Sequence, residues 1–177
     1  MTCINDNGVS ADAEAHPCRE KAMRLTKFTD FSLRVLLFAA THPAELVTIE
    51  SAAESFDISR AHLKKVVLAL TRGGFLRGIR GRSGGFELAQ VPDQINLGAV
   101  LRLTEPDFGL FECYLTGNTC TISRPCRLPS VATEALVAFL SVFDRHTLAD
   151  VLVRPDYFLP QQVKQKQPIR GPKLATA

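Results

Sequence analysis

Phe31, Val35 and Phe38 recur at intervals of three and four residues, which lays apolar side chains along one face of a helix. Thr29 stands ahead of Val35 as a cap, so the pattern predicts a helix from there to about Thr41. Thr48 is placed to cap a second, shorter helix through Ala52, Ala53 and Phe56. Ser59 does the same for a third, whose buried stripe is Leu63, Val66, Val67 and Leu70 and whose stop is Gly73-Gly74. Only Asp57 and Ile58 separate the second helix from the third, the spacing of a helix-turn-helix.

Past the third helix the period becomes that of a strand. Phe75 to Arg80 and Phe86 to Ala89 alternate on either side of Gly81-Arg82-Ser83-Gly84-Gly85, which predicts a β-hairpin, the wing of a winged helix. A short helix capped by Asn96 follows over Leu97 to Leu103, and from Glu105 to Pro125 the pattern is irregular. The last helix, about Pro129 to Leu148, spreads Val131, Leu136, Phe139, Val142 and Phe143 over roughly half its circumference, wider than the stripe of a surface helix. Packing on its own subunit and on a copy of itself, in a two-fold dimer, would cover such a face; a central helix in a monomer is the other way to bury it. The expected fold class is mainly α with a small β-hairpin: a winged helix-turn-helix domain plus a long C-terminal dimerisation helix.

Composition narrows the class. A chain of 177 residues with 46% apolar content can build one domain with a real core and an accessory segment. Apolar runs such as Val35 to Ala40 are too short to span a bilayer, and the first residues lack the pattern of a secretory signal. A cytoplasmic location without membrane association is expected, so five cysteines, an odd number, are not read as a disulfide framework. Residues 1–22 are polar and aperiodic, the composition of a disordered extension; Met23 opens the change of character and is a second candidate start, which would make Cys3 and Cys18 bystanders. Residues 156–177, with Lys164, Lys166, Arg170 and Lys173, read as a flexible basic tail.

The net charge of +3 is unevenly spread: residues 57–90 carry seven Lys and Arg against Asp57 and Glu87. Such a patch fits a phosphate-rich partner. In the third helix, turning Leu63, Val66, Val67 and Leu70 inward leaves Ala61, Lys64 and Lys65 outward, with Ser59 and Arg60 at the end that enters a major groove. Small Ser59 and Ala61 permit close approach, Arg60 can read guanine or grip phosphate, and Lys64 and Lys65 neutralise phosphates. His62 lies at the border of the buried stripe, as a packing or phosphate-contact residue. Arg80 and Arg82 flank Gly81 at the hairpin tip, placed for a minor groove or a backbone.

Cys113, Cys120 and Cys126 lie in the irregular stretch, with six residues between the first two and five between the last two. Zinc sites favour tighter pairs, whereas wider spacing lets a loop wrap a larger object and soft thiolates suit an iron–sulfur cluster. An iron–sulfur site, a zinc site and a thiol switch all stay open on these residues. A four-iron cubane would need a fourth ligand beyond the three sulfurs. The chain offers no nucleophile-base-acid set and no phosphate loop, so it is not expected to be an enzyme.

The segment MRLTKFTDFSLRVLLFAA from Met23, the helix ISRAHLKKVVLAL, the wing RGIRGRSGGFELA, the three-cysteine loop and the closing RHTLADVLV together resemble nitric-oxide-sensing repressors of the NsrR type. These belong to a dimeric winged-helix family that also contains IscR, RirA and CymR. The resemblance covers about residues 23–153. It implies a 4Fe-4S cluster held by Cys113, Cys120 and Cys126, with Asp30 from the other subunit as the fourth ligand. Without the family, Asp30 is a first-turn acid favourable to the helix dipole. IscR has a histidine soon after its third cysteine, where this chain has Arg127, Leu128 and Pro129, and CymR lacks the cysteine triad.

The organisation the resemblance implies is a disordered extension (1–22), a winged helix-turn-helix DNA-binding domain (23–104), a cluster-binding loop (105–127), a dimerisation helix and C-terminal segment (128–155) and the basic tail (156–177). The function it implies is a homodimeric repressor on double-stranded palindromic operator DNA, with nitric oxide as the signal and nitric-oxide stress genes as the targets. The alternatives are a RirA-like regulator of iron or iron–sulfur status and a zinc-stabilised DNA-binding module without sensing.

Overall fold

Thr26, three residues ahead of the expected cap, starts the first helix. The computed structural model describes residues 24–43, 45–81, 84–114, 117–154 and 158, and helix α1 runs Lys27–Ala40 with the Thr26 hydroxyl accepting the Thr29 N–H. Thr29 is instead a buried core contact: its hydroxyl donates to Thr104 Oγ1 at 2.9 Å, which donates in turn to the Val100 carbonyl. Two threonines in capping register look alike in sequence, and packing against a distant helix decides between them. The expected extension over 1–22, with Cys3 and Cys18, lies outside the described residues, as does all of 156–177 except Phe158.

Helix α2 (Ile49–Phe56) begins in a capping box of Thr48 and Ser51 and ends at Asp57, whose φ of 55° is left-handed, a conformation Asp tolerates better than most side chains. Ile58 turns inward, Ser59 caps, and helix α3 runs Arg60–Arg72. The helix-turn-helix has the two-residue joint that the sequence predicts. Val35 and Leu36 of α1 and Leu63, Val66 and Leu70 of α3 are fully buried in one cluster with Val100.

Strands β1 (Leu76–Ile79) and β2 (Gly85–Leu88) pair antiparallel, Leu76 opposite Leu88 and Gly78 opposite Phe86. Phe86 is buried and exchanges both backbone hydrogen bonds with Val47, at 2.9 and 2.8 Å, so the wing root is stitched to the segment before α2. Gly85 permits this approach, since a Cβ there would run into the Val47 carbonyl.

Helix α4 (Leu97–Thr104) is capped by Asn96, whose amide also donates to the Asp144 carbonyl at 2.7 Å. Helix α5 (Leu128–Asp144) ends four residues before the expected Leu148. The reason is a long-range pairing: Leu97 donates to the His146 carbonyl and Leu148 to the Ile95 carbonyl, which draws the chain out of helical geometry. Asp144 and Arg102 clamp α5 to α4 through two hydrogen bonds, beside Gly98, where a Cβ would overlap the carboxylate. Of α5 only Ala132 is buried, while Val131 and Val137 are 60% and 62% exposed, leaving an apolar face uncovered in the protomer. The fold is mostly helical with one two-stranded hairpin, the winged-helix class expected. Among the described residues no helix is long and apolar enough to cross a membrane.

Candidate DNA interface and cysteine loop

The Ser59 hydroxyl accepts the His62 N–H and lies 2.9 Å from His62 Nδ1, which closes the first turn of α3 and fixes the imidazole outward. His62 is exposed, and its ring centroid is 6.3 Å from that of Phe31 on α1. Ser59, Arg60, Ala61, Lys64 and Lys65 are exposed on the face opposite Leu63, Val66 and Leu70. Arg60 Nη1 sits 4.0 Å from Glu50 Oε1 with both side chains more than half exposed, a loose pair that a phosphate can replace. Lys64, Lys65 and Arg80 have no acidic partner within ion-pair distance among the described residues. Arg80 is exposed just past β1, and Arg82 lies outside the described residues. Cations thus line the outer side of a helix whose N-terminal end also carries the positive pole of its dipole.

The stretch from Cys113 to Cys126 is fastened at both ends to the first two turns of α5. Tyr114, next to Cys113, donates its hydroxyl to the Pro129 carbonyl at 2.6 Å and lies 2.8 Å from Thr133 Oγ1. Cys126 Sγ accepts the Leu128 N–H at 3.4 Å, standing in for the side-chain cap that Arg127 does not provide. Cys120 sits in a turn held by Asn118 Oδ1 accepting its N–H and Ser123 Oγ donating to its carbonyl. All three thiols are free, Cys120 exposed and the others half-buried. Among the described residues, no three Cys, His, Asp or Glu side chains in the protomer are close enough together to hold a metal ion.

Asp30 lies on the first turn of α1, half-exposed, its carboxylate gripped by Arg34 one turn later at 2.7 and 3.1 Å. At the same helix end, the Thr26 N–H and hydroxyl both donate to Glu105 Oε1, at 2.9 and 3.2 Å. Glu105 is the residue with which the cysteine loop begins, so the loop root is bonded to the cap of the helix carrying Asp30. Arg34 was legible as an i,i+4 partner of Asp30. Glu105 and Tyr114 carried no local signal, because their partners lie on other elements.

The sequence profile of the Rrf2 family, described as iron-dependent transcriptional regulators, matches residues 25–154. The HTH-type transcriptional regulator NsrR of Bacillus subtilis (strain 168) is 48% identical over 132 residues, 73% of this chain and 90% of that protein. Among solved structures, T. potens IscR superposes with a TM-score of 0.58 at 23% identity, over 73% of this chain and 85% of that one. CymR (YrzC), the global cysteine regulator of B. subtilis, gives 0.55 at 20% identity, over 77% and 98%. At these identities the two structures speak for the fold.

Proposed function

Because the chain belongs to the Rrf2 family of transcriptional regulators, we propose that it is a homodimeric repressor that senses nitric oxide through a 4Fe-4S cluster. Cys113, Cys120 and Cys126 would hold the cluster, with Asp30 of the partner subunit as fourth ligand. The donor chemistry fits: three free thiols share one loop, one of them accepting a backbone N–H at a helix end. When bound, the cluster supplies an iron whose oxygen-donor ligand is exchangeable and open to a small reactant.

The chain's own residues account for the rest. Ser59, Arg60, Ala61 and His62 would approach the base edges of a palindromic operator, while Lys64, Lys65, Arg80 and Arg82 neutralise phosphates. Glu105 holds the loop root to the cap of α1, Phe31 of α1 faces His62, and His62 is bonded to the cap of α3. A displacement of the loop therefore reaches the reading head through packed and hydrogen-bonded groups. A hundredfold drop in operator affinity requires about 2.7 kcal/mol of such coupling.

The observation that carries the reading is the near-half identity to NsrR of B. subtilis over a span that holds reading head, wing and cysteine loop together. Its test is operator binding by anaerobically purified protein before and after excess nitric oxide. Brown protein that binds tightly before and weakly after is expected; affinity that survives the treatment refutes nitric-oxide control, and a colourless zinc-loaded protein refutes cluster sensing altogether. The family's description as iron-dependent favours one second reading, release from DNA on iron limitation. Iron chelation without nitric oxide would then suffice to lower affinity.

A further inference from the structure

The family match ends at residue 154, yet Phe158 packs on the helix-turn-helix. Its ring meets Phe38 of α1 at 5.4 Å between centroids and Phe56, the last residue of α2, at 5.6 Å, edge-on to both. Phe38 and Phe56 meet each other edge-on at 5.6 Å, so the three rings close a triangle in the arrangement that aromatic quadrupoles favour. Phe158 falls within the segment expected as a tail, but it is partly buried against the main core.

The triangle matters because of how α2 is held. Helix α2 packs on α3 and only sparsely on α1, whereas α1 and α3 share an extensive contact. The buried side chains of α2, Ala52 and Ala53, are small, and Ile49 and Phe56 are its only large apolar residues, one at each end. Phe56 is followed by Asp57 in the left-handed region, buried Ile58 and the cap Ser59. The N-terminal end of α3 therefore lies within about 11 Å of chain from Phe56 and follows where that ring is placed. By touching Phe56 and Phe38 together, Phe158 ties the end of α2 to the helix on which α3 rests.

We propose that Phe158 is a positioning residue for DNA reading: packed against Phe38 and Phe56, it fixes the turn between α2 and α3 and so the angle at which Ser59 and Arg60 meet base edges. This rests on α3 being the DNA-reading helix. A base contact through two hydrogen bonds tolerates little misplacement, whereas Lys64 and Lys65 reach phosphates on flexible stems and follow a small shift of the helix. Loss of the Phe158 ring therefore lowers affinity for the operator and leaves affinity for other duplexes unchanged, since the latter comes from phosphate contacts.

The test is binding of the full chain, purified anaerobically, to a palindromic duplex selected by the wild-type protein and to a scrambled duplex of the same length. Phe158→Ala should weaken binding to the selected duplex about five- to thirtyfold, the equivalent of one impaired base contact, with binding to the scrambled duplex and its salt dependence unchanged. Phe158→Leu, which keeps apolar bulk but not the ring edges, should fall between Phe158→Ala and wild type. Circular dichroism establishes that each variant is folded. Unchanged preference for the selected duplex in folded Phe158→Ala overturns the proposal, and so does an equal loss on both duplexes, which a general loss of folded protein would give. If Phe158→Ala does not fold, Phe158→Leu decides: a reduced preference upholds the positioning role and a wild-type preference overturns it. Arg60→Ala with Lys65→Ala reports on the reading helix separately. Wild-type affinity in that pair would show that the assignment of α3 had failed; a weakened pair beside an unaffected Phe158→Ala places the failure in the aromatic contact.

Discussion

Asp144 answers two groups at once: Arg102 through its carboxylate and Asn96 through its carbonyl. The hydrogen bonds from Arg102 hold the Asp144 carboxyl below its ordinary 3.8, with the guanidinium charge acting in the same direction. A carboxylate depressed in the folded state adds stability above its unfolded pKa, and that contribution disappears as pH falls through the folded value. Asp144→Asn should therefore lower the melting temperature at neutral pH and flatten its fall on acidification below 3.8, as melts across that range would record. Asp30 invites a different experiment. Asp30→Ala should leave the fold and the dimer intact while changing the visible spectrum or its rate of loss under nitric oxide; an unchanged spectrum and rate would return Asp30 to a helix-dipole and Arg34 partner. Both acids stand out in sequence only to the extent that their partners are near. Asp30 and Arg34 are one helical turn apart, whereas Asp144 meets Arg102 across 42 residues and could not be paired by inspection.

Helix α3 was the most legible element, since a cap, a buried stripe and an outward basic face all sit within one short segment. Arg60→Ala or Lys65→Ala should weaken operator binding with the loop unaffected, by about 1–3 kcal/mol if the side chain grips a base through two hydrogen bonds and by less if it neutralises a single phosphate. Titrations at fixed salt, with the spectrum as control, separate the two effects. His62 was less legible: a helical wheel puts it near the stripe, but the Ser59 hydroxyl turns it outward. The end of α5 was illegible for a similar reason, as apolar periodicity continues through Leu148 while the backbone of 146–148 is already committed to residues 95–97. The cysteine loop lay between these cases: its spacing exposed the three thiols, and nothing local disclosed that Tyr114 and Cys126 tie it to α5.

At the scale of the molecule, the width of the α5 stripe announced an uncovered surface, and the protomer has one. Val131 is exposed on the same helix face as Leu128 and Val142, so Val131→Glu should give a folded monomer by light scattering with a helical circular-dichroism spectrum like that of the parent. A dimer surviving this change would place the two-fold contact elsewhere. The Val47–Phe86 bridge has an effect of another kind. That single bridge occupies the middle of β2 on the side away from β1, and the far side of β1 stays an open edge. Open edges can template strand addition from other molecules, and charged side chains on or beside them are the usual defence. Arg77, paired with Glu87, and Arg80 stand on or beside that edge. Arg77 and Arg80 would then also act against self-association, and a wing stripped of these charges would gain stickiness.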